Sequence, residues 1–406
     1  MSASNFTLTQ HTVPGQHIRH YARGTATSQE AVLRLSVNQY TPKDAGQPQP
    51  GDVTILACHA SGFPKELYEP VWDAMLEHTR HSSAFRIRNI WIADVSNQNA
   101  SGILNEDLIG SEPSYFDHAR DLLAIVNHFR ADMPRPIVGF GHSMGGVVMV
   151  NLALLHPRLL TTLIAIEPVI NKDAAGMNFV GTYGITFKKD KWPSRQAAEE
   201  FFRNNPFYKH WNPKTLDLFL HHGLRELPPP SQPAQGAEGV AVTLMTTKDQ
   251  EVLSFARAAY PKFGEPKSSF IPSPRKHADL GTGDERNMAN IFYRPEAPMT
   301  RDKREVTGTG RDGSSGVAQG RVQESVLKGS HFVPFERPGG VAEQSVQWLG
   351  REMEQWRADE EAERKELESI PLNRRARLED DWYKWVKAEF GNSAPKPRDK
   401  AAKSKL

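Results

Sequence analysis

Two rhythms of apolar and polar positions alternate along this chain. Short unbroken apolar runs occupy residues 53–58, 87–93, 137–140 and 163–166. They are too short for helices and read as strands buried on both faces. Between them, apolar residues recur every three or four positions. Residues 68–78 form one such stretch. Residues 115–129 form another, with Phe116, Leu122, Leu123, Ile125, Val126 and Phe129, and both predict helices. Strands alternating with helices at this spacing predict an α/β fold, a mostly parallel central sheet with helices on both faces. Ahead of it, residues 17–23 and 32–40 predict two early strands. The second sets Val32, Arg34 and Ser36 against Leu33, Leu35 and Val37. Residues 42–51 are a Pro/Gly/Gln loop.

The rhythm changes after residue 169, where the first part of the core ends. Residues 170–239 carry Trp192, Phe201, Phe202, Phe207, Tyr208, Trp211 and Phe219 and run into Pro228-Pro229-Pro230. This composition predicts a helical cap. Residues 240–350 predict the second part of the core. Its strands at 240–245 and 322–327 are separated by a loop-rich insertion over about 261–320, where Pro, Gly and charge leave little periodicity. A helical pattern covers 341–390, with Trp348, Trp356, Trp382 and Trp385 as expected docking residues. Its part beyond 350, residues 351–392, predicts a charged helical extension with a solvated face. Residues 393–406 predict a flexible tail.

Candidate chemistry enters where the run at 137–140 stops. Gly141-His142-Ser143-Met144-Gly145-Gly146 leads from that strand into an apolar helical stretch. Gly-x-Ser-x-Gly between strand and helix is a nucleophile elbow and predicts an α/β-hydrolase fold. A serine on so sharp a turn has a strained backbone, and its hydroxyl projects above the sheet. The glycines two positions away let neighbouring backbone approach. The helix behind Ser143 directs free N–H groups at the reacting oxygen. Serine at this point also argues against epoxide hydrolases and dehalogenases, which attack with aspartate.

A serine hydroxyl needs a base within reach, oriented by a third group. Of fifteen histidines, His331 alone follows a late apolar strand, with Gly329 beside it, and is the expected base. Two carboxylates are rivals for the acid: Glu167, ending the strand after the elbow helix, and Asp249, ending the strand after the cap. The N–H groups of Met144 and Ser61 are the expected oxyanion donors. Phe63 replaces Ser61 if the loop at 59–64 registers two residues later. Gly308-x-Gly310-x-x-Gly313 matches a dinucleotide fingerprint in letters only. No strand precedes it and no apolar helix follows, so it is set aside.

Composition narrows the classes further. At 406 residues the chain can form one large or two ordinary domains. Its 50 basic and 48 acidic residues leave a net charge of +2, so no global field calls for nucleic acid. One cysteine, Cys58, excludes a disulfide framework or a cysteine-based zinc site. No metal or cofactor is expected. No secretory signal opens the sequence, and no apolar run approaches the ~20 residues of a membrane span. The final Ser404-Lys405-Leu406 is the peroxisomal address. It predicts a peroxisomal location, with the import receptor as partner.

The elbow, together with His59-Ala60-Ser61-Gly62-Phe63-Pro64-Lys65-Glu66, Phe292-Tyr293-Arg294-Pro295-Glu296, Thr307-Gly308-Thr309-Gly310 and Gly329-Ser330-His331-Phe332-Val333-Pro334, resembles the fungal peroxisomal α/β-hydrolases. That group includes peroxisomal lipase and the hydrolases of toxin gene clusters. The resemblance covers about residues 17–350 and implies ester or thioester hydrolysis in the peroxisome, in lipid or secondary metabolism. In one respect the chain departs from it. The relatives carry a further apolar strand between the Tyr-Arg-Pro-Glu and Thr-Gly-Thr-Gly stretches, whereas residues 297–306 here are short and charged. That departure favours Glu167 as the acid, unless the strand at 240–245 fills the vacant place in the sheet and restores Asp249.

The expected function is therefore a peroxisomal serine hydrolase acting on a small-molecule acyl ester or acyl-CoA thioester. Two alternatives stand beside it: a binding protein on a hydrolase core without a working acid, and an acyltransferase using the same acyl-enzyme.

Overall fold

The apolar runs become strands of one eight-stranded sheet in the computed structural model, which describes residues 5–82, 84–170, 179–227, 240–256, 287–292, 316–317 and 319–390. In chain order the first elements are β1 (Phe6–Pro14), β2 (Arg34–Pro42), β3 (Val53–Cys58), α1 (Glu69–Ser82), β4 (Ile87–Ala93), α2 (Asn99–Leu104) and α3 (Tyr115–His128). Then come β5 (Ile137–His142), α4 (Met144–Leu155), β6 (Thr162–Ile166), α5 (Phe179–Thr186), β7 (Lys191–Trp192), α6 (Arg195–Asn204), α7 (Pro213–His222) and β8 (Leu224–Leu227). The last are β9 (Ala241–Leu244), α8 (Lys248–Ala256), β10 (Asn287–Phe292), β11 (Val322–Val326), α9 (Val333–Glu336), α10 (Pro338–Ser369) and α11 (Asp380–Phe390).

The sheet runs β1-β2-β4-β3-β5-β6-β10-β11. The pairings β1–β2 and β2–β4 are antiparallel; all those from β4 to β11 are parallel. Each central strand divides its apolar run between two cores by the period-two alternation of a strand. Ile55 and Ala57, Val138 and Phe140, and Ile164 and Ile166 face a core shared with Trp72 of α1 and Trp348 of α10. Leu56 and Cys58, Ile137, and Leu163 and Ala165 face the opposite core with Leu122 of α3 and Val148 of α4. A run buried on both faces has no polar side to alternate with, which is why it reads as continuous. Trp348 is wholly buried, and its Nε1 donates to Thr162 Oγ1 at 2.9 Å, tying α10 to the start of β6. Full burial of a side chain of this size contributes on the order of 2–3 kcal/mol.

Four expectations are corrected. Residues 17–23 form turns, and the first strand is β1. Its pattern is half exposed and Thr-rich (Phe6 and Val13 in, Thr7 and Thr12 out), as suits an edge strand with only one partner. The strand at 240–245 is β9, and it joins an antiparallel three-stranded sheet, β7-β9-β8, outside the main one. The place beside β6 is taken by β10, inside the stretch expected to be loop. Its six residues are isolated among charge and turn formers, so no periodicity announces them. Lastly, the helical pattern at 341–390 breaks between α10 and α11.

The chain divides into two units, residues 1–354 and 355–406. In the second, Arg364 pairs with Glu361 and Glu368 at 2.8 Å, the i,i+3 and i,i+4 pattern of a solvated helix. Trp382 and Trp385, expected to dock, are about half exposed and lie against each other with ring centroids 5.2 Å apart. No helix among the described residues is long and apolar enough to cross a membrane.

Candidate active site

The elbow is built by glycines that admit backbone where a Cβ would not fit. A Cβ on Gly141 would lie 2.4 Å from the Gly145 carbonyl oxygen, and one on Gly145 would lie 2.1 Å from that of Cys58. At Gly146 it would meet Pro168 Cβ at 2.7 Å. The three glycines thus press α4 against the ends of β3 and β6. Ser143 between them has φ 56° and ψ −116°, a conformation that side chains rarely adopt. The end of β6 holds it there. The Ser143 N–H donates to Ile166 O at 2.9 Å, and its carbonyl accepts from Val169 N at 3.2 Å.

His331 lies in the turn between β11 and α9, with Nε2 2.8 Å from Ser143 Oγ. Two devices fix that turn. Glu336 accepts from the Ser330 N–H at 2.8 Å and from the Ser330 hydroxyl. From the other side, His142 Nε2 meets the His331 carbonyl at 2.8 Å while its Nδ1 meets Tyr68 Oη, also at 2.8 Å. A carbonyl can only accept, so Nε2 carries the proton. Nδ1 therefore accepts from the Tyr68 hydroxyl, which itself accepts the Ala60 N–H at 2.9 Å. Burial drives the Tyr68 phenol well above its ordinary pKa, so it remains a donor.

The rival carboxylates separate. Glu167, 1% exposed and itself at a positive φ of 46°, places Oε2 3.6 Å from His331 Nδ1. That is an ion-pair distance, of the kind that tightens in such sites as charge develops on the imidazole. Asp249 sits exposed in the first turn of α8, a position that suits the helix dipole. The imidazole of His331 keeps 31% of its surface exposed.

The loop at 59–64 lies across from the elbow helix. Of its amides, Phe63 N donates to Ala60 O at 3.2 Å and Gly62 N to Gln98 Oε1 at 2.7 Å. Among the described residues the N–H groups of Ser61 and Met144 enter no hydrogen bond. His59 anchors the loop from beneath: its Nδ1–H donates to Ala60 O at 2.8 Å and its Nε2 accepts from Val95 N at 3.1 Å. Burial pushes its pKa down to about 3, so it stays neutral in both roles. Lys65, 1% exposed, keeps its charge despite burial because Asp94 lies 2.5 Å and Glu66 3.0 Å from its Nζ. Aromatic rings cluster about Phe332, the residue after His331. Phe63 lies 5.3 Å from Phe332 and 5.6 Å from Trp211, and Phe207 lies 5.0 Å from Phe332.

The sequence reading missed Tyr68, His142, Glu336 and Gln98. His142 at least stands inside the motif, whereas Tyr68, Glu336 and Gln98 are set by tertiary contacts no local pattern encodes. Residues 297–306 and Ser404, Lys405 and Leu406 lie outside the described residues. Among the described residues no group of three or more His, Cys, Asp or Glu could hold a metal ion.

Comparison with known proteins adds a second line. The chain is 39% identical over 434 residues to the type I acyl-CoA thioesterase mpaH' of Penicillium brevicompactum, covering 95% of this chain and 96% of that one. It is 30% identical over 232 residues to the abhydrolase domain-containing protein AFT2-1 of Alternaria alternata, covering 54% of this chain and 85% of the relative. In fold it is similar to the peroxisomal alpha-beta-hydrolase Lpx1 of Saccharomyces cerevisiae, with a TM-score of 0.63 at 18% identity over 97% of this chain and all of the other. The model of the alpha/beta hydrolase family matches residues 55–344, which hold the parallel strands of the sheet from β3 onward, the elbow and the His331 turn. By that match, and by the serine on its strained strand-to-helix turn, the chain belongs to the alpha/beta hydrolase family.

Proposed function

We propose that this protein is a peroxisomal serine hydrolase that cleaves an acyl-CoA thioester through Ser143, His331 and Glu167. The observation that carries the reading is His331, with Nε2 2.8 Å from the Ser143 hydroxyl and Nδ1 toward a buried carboxylate. Likeness to a type I acyl-CoA thioesterase along nearly the whole chain supports thioester over oxygen ester. The acyl group lies against the aromatic rings of Phe63, Trp211 and Phe332, and the loop at 59–64 faces its carbonyl.

Ser143 Oγ attacks the thioester carbonyl as His331 Nε2 takes its proton. The oxyanion that forms accepts hydrogen bonds from the Ser61 and Met144 amides, and Glu167 stabilises the imidazolium. Collapse breaks the C–S bond, and the imidazolium protonates the departing thiolate. Water, activated by the same imidazole, then releases the acid and Ser143. The binding-protein reading supposed a site without an acid, and Glu167 beside His331 weighs against it. Asp249, exposed on α8, is set aside as the rival acid.

Incubation with a fluorophosphonate probe tests the triad. Wild type and Asp249→Asn are expected to label, Ser143→Ala not at all and Glu167→Gln far more slowly. Labelling of Ser143→Ala would remove that serine from the mechanism. The location belongs to the same proposal and rests on Ser404-Lys405-Leu406 with the peroxisomal resemblance. An N-terminal fluorescent fusion should be punctate with this triplet and diffuse without it, and a punctate fusion lacking it would contradict the assignment. A role in fungal lipid or secondary metabolism follows from the resemblance alone.

A further inference from the structure

The proposed oxyanion donor on Ser61 belongs to a loop with little regular structure, and a donor of this kind must be fixed before the charge arrives. One side chain bonds to two consecutive residues of that loop. Gln98, 1% exposed at the N-terminus of α2, accepts the Gly62 N–H on Oε1 at 2.7 Å. Its Nε2 donates to Ser61 Oγ at 3.0 Å and to Ser254 Oγ of α8 at 3.1 Å. Both N–H groups and the oxygen of the carboxamide are engaged, two of the three bonds going to Ser61 and Gly62.

The loop is closed from the other side as well. Gly62 has φ +82°, and a Cβ there would lie 2.7 Å from Glu251 Cδ. Glu251 is buried on α8 and ion-paired with Lys188, which follows α5. Asn99, next to Gln98, donates from Nδ2 to Phe63 O at 2.9 Å, and its N–H donates to Thr246 Oγ1 at 2.9 Å. Asn97 Nδ2 donates to Gln250 Oε1 of α8 at 3.0 Å. The segment 97–99 thus joins the loop on one side to residues 246–254 on the other, and Gln98 is the member that bonds directly to both Ser61 and Gly62.

We propose that Gln98 is a positioning residue for the reaction: its carboxamide sets the direction of the Ser61 N–H toward the oxyanion and ties that direction to the seating of α8. The proposal rests on the hydrolase reading above. Gln98 touches no reacting atom, so its removal acts on the transition state while substrate binding against the aromatic rings persists.

The test compares wild type with Gln98→Met, which keeps the length of the side chain and loses its polar bonds. Acyl-CoA kinetics, the rate of fluorophosphonate labelling, affinity for a trifluoromethyl ketone analogue and the melting temperature are read together. The expected result is a 10- to 100-fold fall in kcat with KM within about twofold, somewhat less than the loss of a direct oxyanion donor. Labelling rate and ketone affinity should fall by a similar factor. A folded Gln98→Met with kcat within twofold of wild type overturns the proposal, and so does a fall in kcat that ketone affinity does not follow. If Gln98→Met does not fold, the same readouts on Gln98→Leu, which likewise loses both polar bonds to the loop, decide in the same way. Wild type that labels but cleaves no thioester refutes only the substrate reading, and the labelling rate then judges Gln98. Wild type that neither labels nor cleaves refutes both.

Discussion

Glu167 Oε2 lies 3.6 Å from His331 Nδ1, on the side of the imidazole away from Ser143. The backbone that carries Glu167 also holds Ser143, which bonds to Ile166 on one side of it and Val169 on the other. The proposed acid and the proposed nucleophile are therefore positioned by one turn at the end of β6. Glu167→Gln is expected to lower kcat by a factor of 10² to 10⁴ with KM little changed, as losing the orienting acid does in such triads. Asp249→Asn should stay within about twofold of wild type. Steady-state kinetics of the two variants check this, and the reverse ranking would restore Asp249.

His142 connects the two halves of the site, from the Ala60 amide through Tyr68 to the His331 carbonyl. Displacement of a general base by about 1 Å can cost 10²-fold in rate. His142→Ala is expected to reduce kcat by about that factor, and Tyr68→Phe by less, because the phenyl ring keeps its packing. An equal and small effect of both, in folded protein, would show that the chain of bonds does not set the position of His331.

How much of this was legible beforehand varies with the physical origin of each feature. β3, β5 and β6 were plain because burial on both faces demands unbroken apolar runs. Ser143 and its glycines were plain because steric exclusion fixes them. β10 was hidden, since six residues amid charge and turn formers carry no period. The choice between Glu167 and Asp249 could not be made from residue types. It depends on which strand fills the place beside β6, a pairing between residues more than a hundred positions apart.

Two glycines offer a contrast in stability. Gly145→Ala drives a Cβ against the Cys58 carbonyl at 2.1 Å and should cost on the order of 3 kcal/mol or more. Gly184, in α5, has nothing within 4 Å of its Cβ direction, and Gly184→Ala should stabilise by about 0.5–1 kcal/mol. Urea unfolding of both variants measures the difference. A neutral Gly145→Ala would contradict the close approach of α4 and β3.

Glu69 gives the fold a dependence on pH. Burial, aided by the Glu66 carboxylate and opposed by the hydrogen bond from Tyr40, pushes its pKa from 4.5 up to about 8. Between those values the folded chain holds a proton that the unfolded chain has lost. Its contribution to stability is complete below pH 4.5, shrinks as pH rises and is gone above about 8. Melting temperatures from pH 5 to 8.5 should fall more steeply for wild type than for Glu69→Gln, which cannot lose that proton. Parallel curves would rule out Glu69 as the source.

The most direct measurement is release of free CoA thiol from a fatty acyl-CoA, followed for purified wild type and for Ser143→Ala. The account predicts saturable turnover by wild type and a loss of at least 10³-fold in the variant, with its melting temperature preserved. Absence of turnover in folded wild type, or turnover undiminished in Ser143→Ala, would contradict it.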